Sequence, residues 1–350
     1  MQGFDADAAA LPGSGLYGLP TTPEEAKVLV VPVPFSATTS YGGGAWRGPG
    51  AILRESRQVD LYDLDFGRVY TAGLAMLPEP EEVLAWHHEA EALARGVLAV
   101  GGAVQGDPLL EAALARVNAR CARVNDHVLS VVRALLADGR QVALVGGDHA
   151  VPLGCIQAHA ECHPGLGILH LDAHADLRVA YEGFRYSHAS IMDNVLREVP
   201  GVSRIVQVGL RDLGEAELRA IEGSGGRVVP FYDHDLAARR FDGEPWSALV
   251  REIVNALPGE VYLSFDIDGL DPTLCPHTGT PVPGGLGFRE VCALLSAVAR
   301  SGRRIVGMDL VEVVPGPDGD PWDGNVAARL LYKMLGALRV SLDGAGRSTL

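Results

Sequence analysis

Short, almost wholly apolar runs alternate along the chain with longer stretches in which apolar residues recur every three or four positions. The run Val28-Leu29-Val30-Val31-Pro32-Val33-Pro34 predicts a buried strand ended by proline, which cannot donate to the next rung of a sheet. Similar runs predict strands over 141–146, 166–171, 204–209, 227–231, 261–266 and 304–308. Helical spacing predicts helices over about 79–100, 108–137, 151–163, 189–199, 215–222, 246–257, 287–301 and 325–338. Within 108–137, Leu110, Leu114, Val117, Cys121, Val124, Val128, Val131 and Leu135 form one buried face. Apolar strands alternating with helices specify a mostly parallel sheet covered on both sides, a three-layer α/β/α fold. Ligands of such sheets bind beyond the carboxyl ends of the strands.

Residues 1–26 are rich in Gly, Pro and Ala and read as an N-terminal arm or irregular cap, and 27–345 as one domain. A length of 350 residues with 47% hydrophobic content suffices for one large core. Lysine and arginine number 29 against 44 acidic residues, a net charge of -15 that argues against nucleic acid or an acidic membrane as partner and leaves a small cationic substrate open. The five cysteines include no CxxC pair and leave an odd count, so reduced structural thiols are expected. Residues 1–10 lack a basic, apolar leader, and no stretch reaches the roughly 18 apolar residues of a membrane span. A cytoplasmic protein is the expectation.

The chemistry gathers where three apolar runs end: Gly146-Gly147-Asp148-His149, Asp172-Ala173-His174-Ala175-Asp176 and Asp266-Ile267-Asp268. Period two of an extended chain puts Asp172 and His174 on one side, and likewise Asp266 and Asp268, with Asp176 able to join as the chain turns. So many carboxylates side by side would repel one another unless cations offset them, which points to two divalent ions and a metal-activated hydrolase. Mixed carboxylate and imidazole donors suit Mn²⁺, Zn²⁺, Fe²⁺, Co²⁺ or Ni²⁺ better than Ca²⁺. His170 lies deeper in its apolar run and reads as a hydrogen-bonded neighbour of the ligands. His87 and His88 read as packing or surface residues, and Tyr41-Gly42-Gly43-Gly44 as a loop able to wall a cleft.

In this order, GGDHA at 146–150, DAHAD at 172–176, SFDIDGLDP at 264–272, TGTP at 278–281 and Glu312 resemble the ureohydrolase family of arginases, agmatinases, guanidino-acid hydrolases and formimidoylglutamases, over roughly residues 28–340. The resemblance implies an arginase-like fold and two Mn²⁺ per subunit. His149, Asp172, Asp176 and Asp266 would hold one ion, and Asp172, His174, Asp266 and Asp268 the other. It implies attack of activated water on a guanidinium or formimino carbon, with Glu312 binding the guanidinium, His188 shuttling a proton and Asp176 steadying the reacting group. A homo-oligomer, trimeric or hexameric, is implied as well, and arms such as 1–26 often pack on neighbouring subunits.

Two residues point to different substrates. His188 resembles the agmatinase side of the family, although Ala189 replaces the common following glycine. Arg178, in an Asp-Leu-Arg run, resembles formimidoylglutamases and is a candidate to bind a substrate carboxylate. Agmatine or a related guanidino compound is the expected substrate, yielding urea and an amine; formimidoylglutamate or a guanidino acid such as guanidinobutyrate is the alternative. A metal-stabilised scaffold without turnover is the non-enzyme reading, opposed by the presence of both His188 and Glu312.

Overall fold

In a computed structural model, described here over residues 4–343, eight parallel strands form one sheet in the order β2-β1-β3-β8-β7-β4-β5-β6. The strands are β1 (Val28–Val33), β2 (Leu74–Met76), β3 (Gln141–Gly146), β4 (Leu166–Leu171), β5 (Val202–Leu210), β6 (Val228–Tyr232), β7 (Glu260–Asp266) and β8 (Arg304–Val311). The helices are α1 (Gly48–Ser56), α2 (Glu81–Leu98), α3 (Pro108–Ala137), α4 (Leu153–Cys162), α5 (Ile191–Glu198), α6 (Glu215–Gly223), α7 (Asp233–Phe241), α8 (Trp246–Ala256), α9 (Phe288–Arg300) and α10 (Trp322–Asp343).

Strand alternation divides the core into two halves, one on each side of the sheet. Ala143, Val145, Leu169, Leu171, Leu263 and Phe265 pack with α1, α8, α9 and α10. Val142, Leu144, Ile168, Ile205, Tyr262 and Val306 pack with α2, α3, α4 and α5. The three-layer α/β/α arrangement is therefore present, with the sheet parallel throughout.

Every predicted strand is present, most shifted by one to three residues at an end. The short edge strand β2 and the helices α1 and α7 were not predicted, and the last helix is longer, 322–343 against the expected 325–338. All five cysteines are free. Among the described residues no helix is long and apolar enough to cross a membrane.

The segment before β1 is irregular but fastened to its own chain. The Tyr17 hydroxyl donates to the Ala328 carbonyl at 3.0 Å, its backbone N–H donates to Ser56 Oγ at 2.9 Å, and its ring lies 4.6 Å from that of Tyr332. The first three residues of the arm and the boundary at 345 lie outside the described residues.

Candidate active site

The four strands at the centre of the sheet, β3, β8, β7 and β4, each deliver polar side chains to their carboxyl ends. After β3 the chain must pass close to Phe35. A Cβ on Gly147 would lie 1.8 Å from the Phe35 carbonyl oxygen, so only glycine fits, and His149 follows it into the site. A Cβ on Gly269 would come within 2.8 Å of the Asp172 backbone nitrogen. Its absence lets the turn after β7 close against the end of β4, bringing Asp266 and Asp268 to Asp172 and His174.

His149 Nδ1 lies 3.1 Å from Asp172 Oδ2, 3.2 Å from Asp176 Oδ2 and 3.3 Å from Asp266 Oδ2. His174 Nδ1 lies 3.0 Å from Asp268 Oδ2 and 3.5 Å from Asp172 Oδ1. The six predicted ligands thus converge, and Asp172 faces both imidazoles with different oxygens. Hydrogen bonds fix the carboxylates: Asp172 Oδ1 accepts the His174 N–H at 2.6 Å, Asp266 Oδ1 the Asp268 N–H at 2.9 Å and Asp268 Oδ1 the Ala173 N–H at 3.0 Å.

His170 joins the group but its donor pattern excludes it as a ligand. Gln207 Nε2 donates both to the Ala175 carbonyl at 2.8 Å and to His170 Nδ1 at 2.9 Å. The proton of the neutral ring is then on Nε2, which donates to Asp172 Oδ2 at 2.8 Å. His170 therefore orients Asp172 through a hydrogen bond, in keeping with its depth in the strand. His87, His88 and Glu91 form another histidine-carboxylate cluster. There the Ser36 N–H donates to His87 Nδ1 at 3.3 Å, which leaves a proton rather than a lone pair on the nitrogen nearest Glu91. Asp148 also turns away from the centre, accepting from Ala150 N–H at 3.2 Å and Thr38 Oγ1 at 3.5 Å.

The electrostatics of the convergent group call for cations. Asp172, Asp176, Asp266 and Asp268 are all buried, and among the described residues none pairs with lysine or arginine. Burial, with the Asp172 carboxylate alongside, pushes Asp176 up to about 7. Burial and the neighbouring Asp268 and Asp172 charges drive Asp266 well up. Burial opposes charge on His174, yet Asp172 and Asp268 push it up to about 12. Four buried carboxylates around two imidazoles, with Asp176 and Asp266 driven toward their neutral forms and His174 toward its charged one, make a set of oxygen and nitrogen donors that fits a pair of divalent ions.

A cavity of about 170 Å³ opens over this group, lined by His149, His174, Asp176, Asp266 and His188 together with Arg178, Tyr181, Asp212 and Glu217. His188 sits in a single helical turn whose cap, Ser187, accepts from the Ala189 N–H at 3.3 Å. Burial, then the His174 and His149 rings, push His188 down to about 4, so it is neutral at physiological pH. Glu312 follows β8 and is buried, with one oxygen accepting the His149 backbone N–H at 2.9 Å. Asp176 and Glu312 both adopt left-handed backbone, with φ of 54° and 60°, a conformation that costs energy and gathers at functional sites.

Arg178 is held rather than free. Its Nε lies 3.6 Å from Glu217 Oε2 and its guanidinium stacks 4.7 Å from the centre of the Tyr181 ring. Glu217 in turn accepts the Leu177 N–H at 3.1 Å and caps α6 through the Gly214 N–H at 2.8 Å. The TGTP loop closes the opposite side: Thr278 Oγ1 donates to the Glu312 carbonyl at 2.9 Å and Thr280 Oγ1 to Asp268 Oδ2 at 3.2 Å. A Cβ on Gly42 would lie 2.9 Å from Gly279 Cα, which places the glycine loop after β1 against the TGTP loop, while the cavity lining takes in the preceding Ser40 rather than residues 41–44.

Several supporting residues escaped the sequence reading. Arg211 donates to the carbonyls of Asp268 at 2.6 Å, Leu270 at 3.1 Å and Val282 at 3.0 Å, tying the ligand turn to the TGTP segment. Gln207, Glu217, Ser264 and Asp309 likewise act through contacts between distant segments. Position alone could have flagged Arg211 and Asp212, since they follow β5 at the same edge of the sheet.

The arginase family model matches residues 26–336. N(1)-aminopropylagmatine ureohydrolase of Thermus thermophilus is 37% identical over 322 residues, covering 92% of this chain and 94% of that protein. Proclavaminate amidinohydrolase of Streptomyces clavuligerus is 31% identical over 322 residues, 90% of each chain. The crystal structure of agmatine ureohydrolase of Thermoplasma volcanium shares the fold with a TM-score of 0.72 at 24% identity, covering 95% of this chain and 96% of that one. The match to the family model, spanning the fold and every segment of the site, establishes that this chain belongs to the arginase family and is a metal-dependent hydrolase of the ureohydrolase type.

Proposed function

We propose that the protein hydrolyses a guanidino compound with a cationic tail, agmatine or its aminopropyl derivative, to urea and the corresponding amine, using two Mn²⁺ held by His149, Asp172, His174, Asp176, Asp266 and Asp268. The observation that carries the reading is the sharing of buried Asp172 between two histidine-carboxylate clusters, each able to take one ion. Bound there, the metals supply a water of lowered pKa and offset the charge of the carboxylates.

The chain's own groups do the rest. Glu312 binds the planar guanidinium through charge-assisted hydrogen bonds and so sets the position of its carbon. Asp176 accepts a hydrogen bond from the attacking water. As the water oxygen bonds to the carbon and the carbon-amine bond breaks, His188, neutral and lining the cavity, takes up the proton that the water loses and passes it to the departing amine.

The cavity wall supports an amine tail over an acid tail. Arg178 is engaged by Glu217 and Tyr181, which weakens it as a receptor for a substrate carboxylate. Asp212 lines the cavity with no ion-pair partner among the described residues and presents a negative charge to whatever extends outward. The relative of highest identity reported above carries aminopropylagmatine in its name, in agreement with this reading.

Product identification by mass spectrometry after incubating Mn²⁺-loaded protein with agmatine, N1-aminopropylagmatine, arginine, 4-guanidinobutyrate or formimidoylglutamate tests the proposal. Urea with a matching diamine or triamine is expected. Formamide and glutamate, or urea from the acids alone, would overturn the tail assignment, and no product from any of them the activity itself.

A further inference from the structure

Behind His149 the polar groups continue inward. His149 Nε2 lies 2.9 Å from Ser264 Oγ, which donates to Asp309 Oδ1 at 3.1 Å; the Phe265 N–H donates to the same oxygen at 3.3 Å. Because Ser264 gives its one proton to Asp309, its oxygen accepts from His149 Nε2, so the polarity of the chain is set from imidazole to hydroxyl to carboxylate.

Ser264 and Asp309 are register partners on β7 and β8, and one pleat deeper the partners are Tyr262 and Gly307. Helix α4 covers this face. The His159 ring lies where a Gly307 side chain would be, for a Cβ there would come within 2.3 Å of its Nε2, and the ring centre is 5.3 Å from that of Tyr262. His159 Nδ1 donates to the Cys155 carbonyl at 2.8 Å, leaving a lone pair on Nε2. The Tyr262 hydroxyl faces Asp309 and Cys155 without a well-formed hydrogen bond to either.

Where α4 covers β7 and β8, three fully buried polar atoms thus lack partners among the described residues: Asp309 Oδ2, Tyr262 Oη and His159 Nε2. An unsatisfied buried group costs roughly 1–3 kcal/mol, and native cores rarely leave even one such atom unexplained. Their complement is specific: two acceptors and one hydroxyl donor match a single water that donates twice and accepts once.

We infer that Asp309, Tyr262 and His159 hold one internal water, and that through it and Ser264 Asp309 acts as a positioning residue fixing the tautomer and orientation of the metal ligand His149. A carboxylate behind a ligating histidine raises the basicity of the ring and restricts its rotation, and losing such support typically weakens metal binding about 10–100-fold. The inference rests on the metal reading above.

Mn²⁺ affinity measured by chelator competition, with the melting temperature of the metal-free protein alongside, tests it in wild type, Asp309→Asn and the near-isosteric Tyr262→Phe. Wild type is expected to bind two Mn²⁺, Asp309→Asn to bind the His149-side ion at least tenfold more weakly, and Tyr262→Phe severalfold more weakly with little change in melting temperature. Failure of wild type to bind Mn²⁺ would refute the metal reading itself. Wild-type affinity in both variants, or in Tyr262→Phe alone should Asp309→Asn not fold, would overturn the inference while leaving that reading intact. A crystal structure with no water within reach of the three atoms would overturn it as well.

Discussion

The Glu312 carboxylate accepts the backbone N–H of His149 at 2.9 Å, while the Glu312 N–H donates to the Gly147 carbonyl at 2.8 Å. The proposed guanidinium anchor and the proposed metal ligand His149 are therefore fixed to each other, and a change at either is felt by both.

Glu312→Gln retains an oxygen for the His149 N–H but removes the negative charge. We expect kcat/KM to fall by about 10²–10³, or roughly 3–4 kcal/mol of transition-state stabilisation, with metal content unchanged. Steady-state kinetics paired with metal analysis would expose an error if turnover survived, or if metal were lost along with it.

Asp172→Ala should empty the centre rather than half of it, because this carboxylate faces both histidines. Plasma mass spectrometry on the dialysed variant should give less than one metal per chain, with activity down by about 10³ or more. Two retained ions would refute the shared-ligand assignment.

Gly147→Ala would place a methyl group 1.8 Å from the Phe35 carbonyl oxygen. Since that atom belongs to backbone, the loop must move, and a loss above about 3 kcal/mol in chemical denaturation is expected. A melting curve like that of wild type would show that the turn has more freedom than its geometry implies.

His188 gives a pH signature in the metal-free protein. Burial and the neighbouring imidazoles push it from 6.5 in the unfolded chain down to about 4 when folded. Below pH 6.5 the unfolded chain takes up a proton that the folded chain refuses until about pH 4, so stability falls as pH drops through that window. His188→Asn should lessen this acid-side loss by up to about 3 kcal/mol. Denaturant titrations of both proteins across the window decide it; parallel pH profiles would argue for an imidazole that charges freely in the folded state.

Arg178→Ala should cost little, because the guanidinium is occupied with Glu217 and Tyr181. Agmatine KM is expected to stay within about threefold or to fall as Glu217 is released toward the cavity. A selective collapse of activity on a guanidino acid would instead show that Arg178 swings to meet a carboxylate.

Legibility in the sequence followed the range of the forces involved. The ends of β3, β4 and β7 were readable because apolar runs stop abruptly at acidic residues and histidines, and α3 was readable to the residue, 108–137, because Asp107 caps it and an apolar face runs through it. Helix α1 was missed since it begins Gly-Pro-Gly, and α7 because Asp-His-Asp-Leu-Ala-Ala-Arg-Arg-Phe has only Leu236 buried. The three-residue strand β2 is too short to show a period. Arg211 and Gln207 were invisible for another reason: each acts on backbone carbonyls brought near only by the finished fold.

Strand β8 enters the sheet last in sequence yet lies between β3 and β7. A chain interrupted before it would leave His149 on one side of a gap and the four aspartates with His174 on the other, with Glu312 missing. Such a fragment would not be a weaker version of the enzyme; it would lack the centre. The proposed ligand set therefore comes together only in the fully threaded molecule, so that binding of metal would report a chain whose last strand is in place.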